Sequence, residues 1–131
     1  MAAQSRVQLK RAYDPPSPRD GTRILVDRLW PRGVKKAKAR IDLWLNDAAP
    51  STALRQWFGH DPARWNEFRR RYRAELKHQP EAMAQLRTLA RQGRITIVFG
   101  ARDERRNQAF VLRSLLAGRG AKRARRGVPA R

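Results

Sequence analysis

Apolar residues first appear as a short alternating run, Val7-Gln8-Leu9-Lys10, which predicts a first strand. Three prolines in Asp14-Pro15-Pro16-Ser17-Pro18 then remove backbone donors and fix φ. A stiff loop follows, closed by a turn at Asp20-Gly21. Arg23 to Val26 predicts a second strand, and its Ile24-Leu25-Val26 run lacks alternation, as a strand buried on both faces would. Pro31 and Gly33 break the chain after Trp30, and Lys35 to Arg40 predicts one helical turn. Ile41 to Leu45 is ambiguous, because Ile41, Leu43 and Leu45 alternate like a strand while Trp44 interrupts them.

Beyond Pro50 the period changes to that of helices. Ser51 is placed to cap a helix over Thr52 to Phe58, and Gly59 to end it. Asp61-Pro62 is a helix start, a capping carboxylate followed by proline at the first helical position. Trp65, Phe68, Tyr72 and Leu76 then form one apolar stripe that reads as core. Pro80 opens another helix that turns Met83, Leu86, Leu89 and Ala90 inward and stops at Gly93. Ile95-Thr96-Ile97-Val98-Phe99 predicts the strongest strand. A last helix is expected from about Glu104 to Ala117. Strands alternating with helices predict an α/β class: a single small domain over residues 1–117, with a mostly parallel sheet flanked by helices.

Composition narrows the chemistry. The 131 residues suffice for one domain with its own core. Cysteine is absent, which removes disulfides, a thiolate nucleophile and cysteine-ligated metal sites. Two separated histidines, His60 and His78, do not make a zinc site, and no pattern names a cofactor. No apolar run is long enough for a membrane span, and the first residues lack the apolar core of a signal peptide. The expectation is a cytoplasmic protein without membrane contact.

The net charge of +20 draws polyanions without any dedicated site. Arginine outnumbers lysine heavily, a skew that a GC-rich genome produces by itself. Part of the charge sits in the tail, residues 118–131, where Arg119, Lys122, Arg123, Arg125 and Arg126 meet no acid and almost no large apolar residue. That composition predicts an irregular basic tail, either a nucleic-acid contact or a solvated extension.

Open parallel sheets bind ligands beyond the carboxyl ends of their strands. Two polar segments belong there: Asp27 to Gly33 after the second strand, and Arg102 to Asn107 after the strongest one. Arg28 and Arg32 offer rigid forks of donors for a phosphate or carboxylate, or else pair with Asp27 and Asp14, and Arg102 helps to hold the anion or lies in a solvated basic turn. Trp30 and Tyr13 could contact a ring, or only pack over the sheet edge. Asp27, at a strand end, is the first candidate for proton transfer. Asp103 is the second, with helix capping as its other reading. Tyr13 and Asp14 are candidates for a wall of the same cleft, and Asn107 for a ligand contact.

These segments also carry a resemblance. Lys10-Arg11-Ala12-Tyr13-Asp14-Pro15, the block Asp20 to Gly33 with Asp27-Arg28-Leu29-Trp30-Pro31-Arg32-Gly33 at its end, Ala49 to Arg55, Trp57 to Pro62 and Asn107-Gln108-Ala109 resemble the bacterial YeaO-like family, over about residues 7–117. The resemblance implies a compact α/β domain and brings no substrate with it. Similar proteins usually carry histidine where this chain has Arg106, so a mechanism requiring imidazole there does not transfer. Two functions follow as expectations. One is binding of a small phosphorylated or nucleotide-like ligand at the carboxyl edge, with or without chemistry on it. The other is a basic nucleic-acid-binding or accessory protein without catalysis.

Overall fold

A computed structural model describes residues 6–127, with side chains to residue 117. Among the described residues four strands form one sheet: β1 (Val7–Arg11), β2 (Thr22–Leu25), β3 (Leu43–Trp44) and β4 (Ile95–Phe99). Their order is β1-β4-β2-β3, and every neighbouring pair is parallel. The helices are α1 (Lys36–Ala39), α2 (Thr52–Phe58), α3 (Trp65–Leu76), α4 (Pro80–Gln92) and α5 (Gln108–Gly127). The chain is therefore a small α/β domain, and its sheet is wholly rather than mostly parallel. No helix among the described residues is long and apolar enough to cross a membrane. Of the basic tail, residues 118–127 continue the backbone of α5, and residues 128–131 lie outside the described residues.

Local signals set the helix boundaries. Ser51 Oγ accepts from the Leu54 amide at 3.1 Å and so caps α2. The same serine donates its amide and hydroxyl to Glu75, at 2.8 and 2.6 Å, which ties the start of α2 to the end of α3. Gly59 closes α2 in the left-handed region at φ 52°. Asp61 caps the short 3-10 turn Pro62–Arg64 that leads into α3. The last helix begins later than the pattern predicts. Asp103 accepts from the Arg105 and Arg106 amides, folding 103–106 into a turn, and Asn107 Oδ1 accepts from the Phe110 amide at 2.9 Å as the true cap. Of the ambiguous Ile41–Leu45 stretch only Leu43–Trp44 joins the sheet, as its outer strand.

The two faces of the sheet are unequal. Ile24, Val26, Ile95, Ile97 and Phe99 meet Phe58, Phe68, Tyr72, Leu76, Leu86 and Leu112 in one core. Phe58 stacks on Phe68 with centroids 4.4 Å apart. The opposite face holds only Ala12, Leu25 and Val98, covered by Trp30, Val34 and Ile41. Each strand position sends its neighbour to the other face, so the unbroken Ile-Leu-Val run serves both cores.

Charge is buried on the thinner side. Asp20 and Arg23 are both 3% exposed, and Arg23 Nη1 donates to Asp20 Oδ2 at 2.6 Å. Lys10 Nζ donates to the same carboxylate at 3.1 Å, and the Ser17 amide at 3.0 Å. Burial pushes the Asp20 carboxyl up, but the Ser17 amide and the Lys10 and Arg23 cations outweigh it and hold its pKa below the ordinary range. Beside this network Gly21 takes φ 66°, and a Cβ there would lie 2.1 Å from the Arg94 carbonyl oxygen. Glycine is required by both conformation and space. Gly21→Ala is expected to destabilise the fold by roughly 2–4 kcal/mol in chemical denaturation. A change below about 0.5 kcal/mol would contradict the close approach of these two segments.

Candidate functional site at the carboxyl edge of the sheet

The pairing of β2 with β4 runs one residue past the strand, through Val26 N to Val98 O at 3.0 Å. The next residue, Asp27, reaches across to the end of β4. Its Oδ2 accepts from the Gly100 amide at 2.9 Å, and its Oδ1 accepts from Gln108 Nε2 at 2.6 Å at the first turn of α5. A Cβ on Gly100 would stand 2.7 Å from that Oδ2, so only glycine admits the carboxylate. Of the two polar segments expected at this edge, Asp27 to Arg32 and only the end of the second, Arg106-Asn107, come together, beyond strands that are adjacent and parallel.

Burial pushes the Asp27 carboxyl up to about 6, against the Gly100 amide, the Arg55 charge and Gln108, which all favour the ionised form. Such a carboxyl exchanges its proton near neutral pH, a property of groups in functional clefts.

A cleft of about 320 Å³ opens over Asp27. It is lined by Arg28 to Arg32 of the loop after β2, by Ala49-Pro50, by Arg55 and Phe58 of α2, and by Tyr13, His60, Arg106 and Gln108. Its walls are fastened by main-chain acceptors. Arg28 donates from Nε to Pro50 O and from Nη2 to Ala49 O, each at 3.1 Å. The Tyr72 hydroxyl donates to Ala48 O from the core side. Tyr13 OH donates to Arg32 O at 2.8 Å, and Trp44 Nε1 donates to Asp27 O at 2.7 Å. Trp30 Nε1 donates to Val34 O at 2.6 Å, and its ring meets Trp44 edge-on at 5.6 Å.

Asp27, Arg28, Trp30, Arg32, Tyr13 and Asn107 thus stand together around one cleft. Arg28 pairs with neither Asp27 nor Asp14; two of its donors go to carbonyls, which makes it a fastener of the Ala49-Pro50 segment. Asp14 lines a neighbouring groove with Tyr13, and Arg102 and Asp103 do not line the cleft. Asp103 is held in its turn by the Arg105 amide first and then by the Arg106 amide and side chain, which depress its pKa. That environment suits an anchor of the turn. Arg106 reaches the cleft while ion-paired to Asp103 at 3.2 Å.

Pattern reading missed Arg55, Gln108, Gly100 and His60. Arg55 and Gln108 sit on helices, where polar residues usually face solvent, and only the packing of α2 and α5 brings them over Asp27. The side chains of Arg32 and Arg55 make no hydrogen bond or ion pair among the described residues, although the Arg55 charge is felt by Asp27. His60 follows Gly59 with a positive φ of 60°, an uncommon backbone for histidine and one that borders this cleft.

A family model described as the inactive DUF488-N3 subclade matches residues 6–130. The chain belongs to this family. It is 44% identical over 119 residues to uncharacterized protein Mb3100c of Mycobacterium bovis, spanning 91% of this chain and 100% of that protein. Uncharacterized protein Rv3073c of Mycobacterium tuberculosis stands at the same 44% over 119 residues, with the same coverage of both chains. Uncharacterized protein YeaO of Escherichia coli is 41% identical over 106 residues, covering 81% of this chain and 92% of its own. The YeaO-like resemblance of the motifs is therefore sound, and this member of the DUF488-N3 group is a domain of unknown function. No solved structure matches the chain.

The raised Asp27 pKa fixes the sign of a stability effect. The folded chain keeps this proton up to about 6, whereas the unfolded chain releases it near 3.8. The group's stabilising contribution is whole below about 4 and is lost as pH rises through 6, a change of at most about 3 kcal/mol. Asp27→Asn should therefore gain on the wild type between pH 4.5 and 7.5, by about 1–3 kcal/mol in paired urea titrations. A difference that stays constant across this range would show that Asp27 ionises as an ordinary surface carboxylate.

Proposed function

We propose that the domain is a binding module for a small phosphorylated or nucleotide-like ligand held in the cleft over Asp27. Arg32 and Arg55 take the anionic group, through guanidinium forks that no acceptor among the described residues occupies. Asp27 takes a hydroxyl or amine of the ligand on the lone pairs left after Gly100 and Gln108 have donated. Tyr13 and Trp30 border the cleft with ring surface. The observation that carries this reading is the partly buried, doubly anchored carboxylate of Asp27 beside guanidiniums that have no hydrogen-bond partner among the described residues.

Binding without turnover is the form we favour. The matching family is described as an inactive subclade, and by the motif resemblance Arg106 occupies a position where a histidine is expected. An arginine there offers a fork of donors for an anion in place of an imidazole.

A thermal-shift panel of nucleotides, nucleosides and sugar phosphates tests the reading, run at salt high enough to suppress loose polyanion contacts. A true ligand at about 100 times its Kd adds roughly 2.7 kcal/mol, a rise of several degrees. Arg55→Ala and Arg32→Ala should each weaken that ligand about tenfold or more while the unliganded melting temperature stays within a degree or two. Equal binding by both variants would remove the cleft from consideration.

A further inference from the structure

A second cavity lies on the thin side of the sheet and shares no lining residue with the cleft over Asp27. It is a trough between the proline-stiffened Pro16-Ser17-Pro18 segment and the stretch from Ala37 of α1 to Asp42, with Gly21 and, in β2, Arg23 between them. Arg23 is the unusual member. Its side chain is 4% exposed, yet only part of its guanidinium is satisfied. Nε donates to Ala39 O at 2.9 Å and Nη1 to Asp20 Oδ2 at 2.6 Å, while Nη2 is buried with no acceptor. Buried charged donors without acceptors are costly and rare.

The charges around Arg23 do not cancel. Asp20 already serves two cations, Lys10 and Arg23. Asp42 gives one carboxylate oxygen to the Arg23 amide at 2.8 Å. Lys38 and Arg40, both exposed on the trough, have no acidic partner among the described residues. Arg40 is held there by a left-handed backbone, φ 51°, at the end of α1. Two carboxylates thus face four cations, and one of the four is a buried guanidinium with a donor to spare.

We propose that this trough is a second anion site, which takes a phosphate group with Arg23 at its base and Lys38 and Arg40 at its rim. The stiff proline segment keeps the opposite wall in place without a bound ligand. Asp42, also on the trough, lowers the field there, and the site selects a compact dianion over a monovalent anion because the two rim cations must both be engaged.

The test uses the full chain and inorganic phosphate, followed by amide NMR titration at fixed high chloride. Saturable shifts centred on Gly21, Arg40 and Ile41 are expected, and Lys38→Ala/Arg40→Ala should weaken them at least tenfold. Arg73→Ala/Lys77→Ala removes the same charge from the exposed face and end of α3 and should leave the affinity within twofold. Arg55→Ala should abolish any phosphate response at the Asp27 cleft and leave the trough unchanged, so failure of either site is read separately. Shifts that never saturate, or that fall equally in the two double variants, would overturn the trough site. So would a response confined to the Gly100 and Gln108 amides.

Discussion

One hydrogen bond organises the edge of the sheet, the 2.9 Å contact from the Gly100 amide to the Asp27 carboxylate. It exists because β2 and β4 are parallel neighbours and end together, which places the residue after one strand against the turn after the other. The first turn of α5 completes the anchor through Gln108, and the Arg55 charge on α2 is felt at the same carboxylate. The cost is a carboxylate kept from water and a position, Gly100, where any Cβ would crowd that carboxylate. Folds tolerate such costs mainly where a ligand is to be met.

The surrounding polar side chains have mostly structural duties. Arg28, Tyr72 and Glu75 all fasten the segment Ala48 to Ser51, and through it the position of α2. Tyr13 fixes the backbone of Arg32, and Trp44 that of Asp27. The side chains of Arg32 and Arg55 are thereby presented on walls that do not need them for cohesion. On the proposed function this division separates binding from stability, and substitutions at the two kinds of arginine should then behave differently.

Much of the fold was legible in the chain because its signals are local. Ser51, Asp61-Pro62, Pro80 and Gly59 act within a turn of themselves, and the Trp65–Leu76 stripe follows helical geometry. The convergence of the two polar segments was also foreseeable, given a parallel sheet. Arg55 and Gln108 were not, since nothing in a helical polar residue announces which neighbour it will face. Arg23 was read as part of a strand, with no sign that its charge would be buried against an aspartate three residues earlier. Asp103 looked like a helix cap and a possible acid. The turn it builds hands the cap to Asn107, four residues on.

The central claim is that Asp27 is a seated, partly desolvated carboxyl facing a ligand cleft. Selective carbon-13 labelling of aspartate side chains, with pH titration of the Asp27 carboxyl resonance, measures this directly. The account predicts a midpoint near 6, moving further upward when Gln108→Ala removes one donor to the ionised form. A midpoint near 4, unchanged by that substitution, would place Asp27 in ordinary solvent and contradict the account.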